Sequence, residues 1–195
     1  MEAVRSNATM PNLIRQETVL NEIKRALSET LRVAPETITP GTSIVRDLGA
    51  ESLDFLDLNY RLEQAFGIRM ARHFFLEHME EMFGEGSAID ENGRLTKRAL
   101  AALKVRYPDA PLPEGEDGVD MSEAPALITV QAMANTVMGI LDTLPARCAC
   151  GASAWRTDDG THIVCGICGQ PAAFVNGDEL THQWLASLPE ESGRS

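Results

Sequence analysis

The first half of the chain contains two segments in which apolar residues recur at helical spacing. In residues 17–33 every fourth position is apolar, at Val19, Ile23, Leu27 and Leu31. This period predicts an amphipathic helix. Pro35 and the polar residues 37–43 then break the pattern into a loop. A second helical period begins near residue 53, and its apolar stripe consists of Phe55, Leu58, Leu62 and Ala65.

Acidic residues follow a different line along this second helix. They begin beside Ser52 and comprise Glu51, Asp54, Asp57 and, further on, Glu63. The pattern predicts a buried apolar face and an exposed acidic face. Arg61 interrupts the acidic face, and its spacing from Asp57 favours an i,i+4 ion pair that uses part of the acidity for local stability. Considered alone, Ser52 is typical of a residue that caps an ordinary surface helix.

Three motifs in sequence order give a more specific indication. Residues 38–44 read Ile-Thr-Pro-Gly-Thr-Ser-Ile, residues 47–54 read Asp-Leu-Gly-Ala-Glu-Ser-Leu-Asp, and residues 62–68 read Leu-Glu-Gln-Ala-Phe-Gly-Ile. With the helix that precedes them, these motifs make residues 17–69 resemble the acyl carrier protein family nearly end to end. The signature of that family is usually Asp-Ser-Leu, and this chain keeps the charge with Glu51-Ser52-Leu53. Peptidyl carrier domains are less similar.

The resemblance implies that partner enzymes modify and use this protein, which is not itself a catalyst. The serine that matches the family's modified residue is Ser52, to which a phosphopantetheinyl transferase would attach the 4′-phosphopantetheine of coenzyme A. The thiol of that arm would carry acyl groups as thioesters. The implied partners are this transferase and acyl-transferring or ketosynthase-type enzymes with basic docking patches. The candidate docking residues are Glu51, Leu53, Asp54, Asp57 and Glu63.

A third apolar period, far along the chain, predicts the helix that closes the family's bundle. Thr129 is placed to cap this helix, and Pro145 ends it. Its inward positions are Val130, Met133, Val137, Leu141 and Leu144. Because this helix comes so late, residues 70–127 are expected to form an insertion in the bundle.

The expected insertion contains two helical patterns and a loop. A helix is predicted over residues 70–83, which include the bulky residues Phe74, Phe75, His78, Met79 and Met82. We expect His78 to be a partly buried spectator. Thr96 caps a second predicted helix that runs to about residue 107, and the Pro/Gly/acid-rich residues 109–125 predict an exposed linker. The inserted helices either pad the bundle or shape an acyl cavity or a docking face.

All four cysteines of the chain fall within 21 residues, in two close pairs: Cys148 and Cys150, then Cys165 and Cys168. Between them, the turn at residues 158–160 predicts a β-hairpin. Four cysteines satisfy tetrahedral zinc, so the segment resembles a zinc ribbon with structural Zn²⁺, and His162 is expected to be only a hairpin side chain. Two disulfides or a catalytic thiol are the alternatives to zinc. Few basic residues flank the cysteines, which disfavours nucleic-acid binding.

The end of the chain predicts one more helix. Residues 178–188 have a short amphipathic pattern, which we expect to pack Trp184 and Leu188 on the ribbon or on the bundle. Trp184 could instead be an anchor for a partner protein. From Pro189 onward the chain is expected to fray.

Composition narrows the range of partners. The chain has 29 acidic and 17 basic residues, and its net charge of −12 argues against nucleic-acid or anionic-membrane binding and for basic protein partners. The first twenty residues contain no apolar run fit for a signal peptide, and no stretch approaches 18 consecutive apolar residues, so a cytoplasmic location is expected.

Together these features predict an all-α, acyl-carrier-type helical bundle with a helical insertion, plus a small β zinc ribbon near the C-terminus. The expected divisions are an N-terminal extension (1–16), the carrier domain (17–145), the ribbon (146–176) and a short helix with a tail (177–195). The expected function is to hold acyl intermediates for fatty-acid, polyketide or specialised lipid synthesis. The alternatives are an aminoacyl carrier and an interaction or regulatory protein whose carrier-like fold is unmodified.

Overall fold

The computed structural model describes residues 13–108 and 119–188. Most of the expected N-terminal extension, the first ten residues of the expected linker and the tail from Pro189 therefore lie outside the described residues. Within the described ranges, half-buried and buried apolar residues form two separate clusters, which we call the first core and the second core.

The helices and strands are close to those that the apolar periods predict. The helices are α1 (Gln16–Leu31), α2 (Ser52–Phe66), α3 (Phe75–Phe83), α4 (Lys97–Arg106), α5 (Val130–Leu141) and α6 (Gly177–Ser187). The strands β1 (Trp155–Thr157) and β2 (Ile163–Cys165) form an antiparallel hairpin, and two 3₁₀ segments span Pro35–Thr37 and Met121–Leu127. The expected helix over 70–83 begins only at Phe75, and α5 ends at Leu141, three residues before the last expected inward position.

The first core is built by α1, α2 and α5. Each of these helices buries its predicted apolar stripe, and the fully buried residues include Val19, Ile23, Leu58, Leu62 and Val137. Fully burying one such side chain contributes about 1.5–3 kcal/mol. Backbone hydrogen bonds also tie the loop before α2 to the start of α5, since the N–H of Ile44 donates to the carbonyl of Ile128 at 3.0 Å. The hydroxyl of Thr129 accepts from the N–H of Ala132, as expected for its capping role.

The second core joins the expected insertion to the last helix. Its buried residues come from α3, α4, the segment 119–127 and α6, and they include Phe75, Met79, Leu103, Val119 and Leu185. Our expectation that residues 109–125 form an exposed linker is therefore wrong for their described part, residues 119–125. Val119 is buried there, and its carbonyl accepts a hydrogen bond from the N–H of Leu95 at 2.8 Å.

Trp184 and Leu188 of the last helix pack on a different surface from the one expected. Trp184 contacts Phe75 of α3 edge-to-face, with ring centroids 5.9 Å apart, and the guanidinium of Arg106 lies over its indole ring. Leu188 is also packed against the second core. Trp184 and Leu188 therefore face the second core rather than the ribbon or the bundle.

The cysteine-bearing hairpin packs on the first core. Ile163 and Ala172 belong to that core, and the indole N–H of Trp155 donates to the carbonyl of Pro145 at 2.8 Å. In the hairpin, Trp155 pairs with Cys165 and Thr157 with Ile163. The hairpin that the sequence predicts is therefore present and is anchored to the helices.

Gly177 lies where α6 meets the segment that follows α2. Its N–H donates to the carbonyl of Arg69 at 2.9 Å, and a Cβ at this position would lie 2.2 Å from the backbone nitrogen of Ala71. No side chain can be accommodated there, because the neighbouring atoms are backbone atoms. The two chain segments therefore approach each other as closely as backbones can.

We expect Gly177→Ala to lower the free energy of unfolding by about 3 kcal/mol, the upper end of the usual cost of overpacking, because either α6 or the backbone at 70–71 must move. The matched control is Gly139→Ala in α5, whose added methyl group would meet Leu180 at an ordinary 3.7 Å. That control should be about 1 kcal/mol more stable than the wild type, since alanine favours a helix interior. Urea denaturation measures both values. Equal midpoints for Gly177→Ala and the wild type would contradict the close approach.

Candidate functional site

Ser52 is exposed and is the first residue of α2. The residue at the N-cap position is Glu51, and the carboxylate of Asp54 reaches back to accept the N–H of Glu51 at 2.8 Å. Such an N3 carboxylate stabilises the start of a helix. Ser52 is therefore not the capping residue, and the interpretation of it as an ordinary N-cap is wrong.

The loop before Ser52 is held firmly. Gly49 adopts a φ of +71°, which glycine tolerates without strain, and its N–H donates to the carbonyl of Val45 at 2.9 Å. The carboxylate of Asp47 accepts the N–H of Ser43 at 2.8 Å. This backbone hydrogen bond, together with the side chain of Arg46, lowers the pKa of Asp47. The loop thus presents Ser52 from a fixed backbone rather than from a free segment.

The exposed face of α2 is more apolar than the sequence analysis indicated. Leu53 is 77% exposed, and Leu56 and Tyr60 are also exposed on this helix. The last two residues were not among the predicted docking residues, although their positions outside the predicted apolar stripe could have identified them. Glu51 is exposed beside them, and Asp54 is half-buried.

Asp57 has partners within the protein. Its carboxylate accepts hydrogen bonds from the hydroxyl of Thr30 in α1 and from Arg61, at 2.5 and 2.7 Å. These two bonds lower the pKa of Asp57. Arg61 also pairs with Glu29 of α1. The predicted pair of Asp57 and Arg61 is therefore present, and it belongs to a polar link between α1 and α2.

Glu63 does not belong to the exposed acidic face. Its side chain is 3% exposed, and its carboxylate accepts the N–H of Met70 at 2.8 Å and lies 3.0 Å from the guanidinium of Arg72. We predicted that Glu63 contacts a partner from an exposed face. Because its side chain is buried, that prediction is wrong. Its carboxylate instead binds the segment that follows α2. Because this charge is buried, it needs the hydrogen bond from Met70 and the pairing with Arg72.

A cavity of about 850 Å³ opens beside Ser52. Its walls include Ser52 and Phe55 of α2, Met133 of α5, and Phe74 and Tyr107 from the expected insertion. The volume is in the range of small-molecule pockets, and the lining mixes apolar side chains with the cationic groups of Arg72 and Arg106. The inserted segment therefore forms one wall of a cavity whose opposite wall carries the candidate serine.

His73 lines the same cavity, but its ring is directed toward other groups. Its Nδ1 lies 3.9 Å from the carboxylate of Asp178, and its ring contacts that of His78 edge-to-face. His78 is buried rather than partly buried, and it bonds both to Asp178 and to His182. It is a structural link between α3 and α6 rather than a spectator.

The four cysteines converge on one point. All four Sγ atoms lie within 4.8 Å of one another, with Cys148 and Cys168 at 3.6 Å and Cys150 and Cys165 at 3.7 Å. Sulfur atoms at 2.3 Å from a tetrahedral zinc are about 3.8 Å apart, so the donor set fits this ion. The N–H groups of Cys168 and Ile167 donate to the sulfur of Cys165 and lower the pKa of that thiol to about 6. Despite a backbone hydrogen bond from Gln170, burial and the neighbouring thiols raise the pKa of Cys168 to about 12. The thiolate, the form that binds metal, is therefore favoured at Cys165.

The histidine of the hairpin takes no part in this arrangement. His162 lies apart from the cluster of sulfur atoms, and its ring bonds to the carboxylate of Asp159 at 2.8 Å.

Elsewhere, no helix in the described part of the chain combines the length and apolar character that crossing a membrane requires.

Comparison with known proteins gives consistent matches. A family model described as a phosphopantetheine attachment site matches residues 21–79. The acyl carrier protein AcpXL of Brucella melitensis is 30% identical over 86 residues, which cover 44% of this chain and 88% of that protein. AcpXL of Rhizobium meliloti is 29% identical over 90 residues, covering 46% and 90%. The acyl carrier protein of Campylobacter hominis is 40% identical over 52 residues, covering 27% and 66%. No solved structure matches the chain significantly.

Proposed function

Because this chain belongs to the acyl carrier protein family, we propose that Ser52 is the residue that receives its 4′-phosphopantetheine arm. The observation that carries the proposal is the position of Ser52. It is the exposed first residue of α2, it follows a hydrogen-bonded loop, and it lines the cavity. It also lies inside the range that matches the phosphopantetheine-attachment family. When bound, the arm supplies a thiol that holds acyl groups as thioesters.

The residues around Ser52 would support such an arm in simple ways. The first N–H groups of a helix and the positive end of its dipole favour a phosphate at this position. An unaided serine hydroxyl is a weak nucleophile, so the attachment step requires a transferase that supplies the activation. The role of the chain is then to present the hydroxyl, and Leu53, Leu56 and Tyr60 offer exposed apolar contacts next to it.

The test of this proposal is the intact mass after incubation with coenzyme A and a broad-specificity phosphopantetheinyl transferase. The wild type should gain one arm, and Ser52→Ala should gain none. The matched control is Ser122→Ala, which removes another exposed serine lining the same cavity and should still gain the arm. A wild type that gains no mass, or a Ser52→Ala variant that does, would refute the assignment.

The cavity supports a further part of the proposal, that the acyl chain lies between the two cores. One wall comes from α2 and α5 of the first core, and the other comes from Phe74, Phe75 and Tyr107 of the inserted segment. Burying each methylene of a chain in an apolar cavity contributes about 0.8 kcal/mol. A cargo in this cavity would therefore stabilise the folded protein.

We expect a medium-length saturated acyl chain on the arm to raise the melting temperature by about 4–8 °C over the form with a free thiol, since about 2 kcal/mol of added stability has this effect. Ala132→Phe, which adds bulk to the cavity lining, should remove at least half of that rise. Ala186→Phe, on the exposed side of α6, is the control and should keep it. Because each variant is compared with its own unacylated form, a general loss of stability does not affect the result. An equal rise in Ala132→Phe would contradict the placement.

The proposed setting is fatty-acid, polyketide or specialised lipid synthesis, in which the protein carries intermediates and other enzymes perform the chemistry. Glu51, Leu53, Asp54 and Asp57 remain our candidates for contacts with the transferase and with synthase-type enzymes that have basic patches. Asp57 is partly committed to Thr30 and Arg61, which leaves less charge for partners. An aminoacyl cargo remains the alternative, and it would require an adenylating partner.

We also propose that Cys148, Cys150, Cys165 and Cys168 hold a structural Zn²⁺. The fit of the sulfur spacings to a tetrahedral ion supports this assignment. Zinc supplies stabilisation of the fold here, because four protein ligands leave no position for a substrate. Since the hairpin packs on the first core through Trp155 and Ile163, the metal would stabilise that contact too.

The purified protein should therefore contain one tightly bound zinc at this site. Removing it with a chelator should free four thiols and lower the melting temperature, because a small hairpin of this kind depends on its metal. Cys168→Ser should lose this zinc, whereas His162→Ala, which changes the nearby hairpin histidine, should keep it. Two disulfides, or a metal-free protein with four free thiols and an unchanged melting temperature, would overturn the assignment.

The domain division that we propose follows the two cores. The carrier domain would comprise α1, α2 and α5, with the ribbon packed on it, and the inserted helices would form a second unit with α6. The family match extends to residue 79, inside α3. The range that matches the family therefore includes most of α3, although the side chains of this helix pack in the second core.

A further inference from the structure

Two histidines and a glutamate bring α3 and α6 together at the surface of the second core. The Nδ1 atom of His78 lies 2.8 Å from Nε2 of His182 and 3.7 Å from Oε2 of Glu81. The distance from Nε2 of His182 to the same carboxylate oxygen is 3.9 Å. These three residues, the His78–Glu81–His182 cluster, therefore direct three metal-binding atoms at a common point.

The ring of His78 is held in one orientation. It is 2% exposed, and its Nε2 lies 3.0 Å from the carboxylate of Asp178. Because a carboxylate accepts, His78 donates through Nε2 and keeps the lone pair on Nδ1 for the other side. That lone pair faces His182 and Glu81. A histidine whose second nitrogen donates to a carboxylate is the arrangement that supports metal-binding histidines in proteins.

We propose that the His78–Glu81–His182 cluster binds a divalent transition metal ion, with Zn²⁺ as the ion to test. Imidazole nitrogen and carboxylate oxygen are both zinc ligands, and donors at about 2.1 Å from a tetrahedral ion are about 3.4 Å apart. The three observed separations bracket that value. His182 and Glu81 are partly exposed, so a fourth position is open to water.

A neighbouring set, His73, His78 and Asp178, is the less suitable metal site. Both oxygens of Asp178 already accept the N–H of Arg72, at 3.0 and 3.1 Å, and one of them also accepts from His78. Asp178 therefore lacks a free oxygen directed at an ion, whereas the carboxylate of Glu81 faces the two ring nitrogens.

Without metal, the cluster has a simple alternative arrangement. The Nε2–H of His182 donates to Nδ1 of His78, so both ring nitrogens of His78 have hydrogen-bond partners. Binding metal requires only that His182 move its proton to Nδ1, since the protonation of His78 is the same in both states. The cluster is thus prepared for a metal on the buried side, and the separations between its donor atoms have to change by only about 0.3–0.6 Å to reach the tetrahedral value.

Such a metal would strengthen the link between α3 and α6, which already includes the hydrogen bonds of His78 and the packing between Phe75 and Trp184. Because α3 and the residues before it also line the cavity, the ion would hold that wall of the cavity against the last helix. The role is structural, and the open position makes the ion exchangeable.

The experiment uses the full chain with its cysteine site already saturated with zinc, and it measures further Zn²⁺ binding by titration calorimetry. One additional equivalent is expected for the wild type, with a rise in melting temperature when it binds. Glu81→Gln and His182→Ala change exposed side chains and should each weaken this second equivalent at least tenfold and remove the thermal shift.

His73→Ala is the matched control, because it removes the exposed histidine of the neighbouring set, and it should bind as the wild type does. Absence of a second equivalent in the wild type would overturn the proposal, as would unchanged binding in both Glu81→Gln and His182→Ala. Loss of binding in His73→Ala alone would assign the ion to the other set and would also overturn it. The variant Cys168→Ser distinguishes the two sites, since it should lose the zinc at the four cysteines and keep the ion at the His78–Glu81–His182 cluster.

Discussion

The position of the second core relative to the first depends on the hydrogen bonds that the carboxylate of Asp178 accepts. It lies in the first turn of α6 and accepts the backbone N–H groups of Arg72 and His73 as well as the ring nitrogen of His78. Gly177, directly before it, lets the two backbones touch. Three donors on one carboxylate fix the direction in which the chain leaves α2, and so they fix where α3 begins. The cavity beside Ser52 exists because α3 starts at that place.

Much of the fold could be predicted from the sequence because it depends on local patterns. The apolar periods identified α1, α2 and α5, the capping residues Thr96 and Thr129 marked helix starts, and the cysteine spacing and turn residues marked the hairpin. Each of these features depends on residues that are close together in the sequence.

The errors concern contacts between residues that are distant in the sequence. Asp178 meets residues 72–78 about 100 positions away, and no local period records which surface a short amphipathic helix will cover. The surface covered by Trp184 was therefore predicted wrongly. Glu63 was predicted to be exposed for a similar reason. Glu63 lies next to the apolar stripe of α2, so the helical pattern does not decide whether it is exposed. Its carboxylate is buried because Met70 and Arg72 of the following segment pack against it. The second core was missed because its parts come from both sides of the closing helix α5.

The distribution of charge on α2 changes the view of how this carrier meets its partners. Of the predicted acidic residues, Glu63 binds the segment after α2, Asp57 links α2 to α1, and Asp54 accepts the N–H of Glu51. Glu51 is therefore the exposed acid beside the serine. The exposed surface beside them is apolar, at Leu53, Leu56 and Tyr60. Long-range charge steers encounters, whereas apolar contact determines how long a complex lasts. For the docking face that we propose on α2, apolar contact would therefore contribute more than charge to the choice of partner.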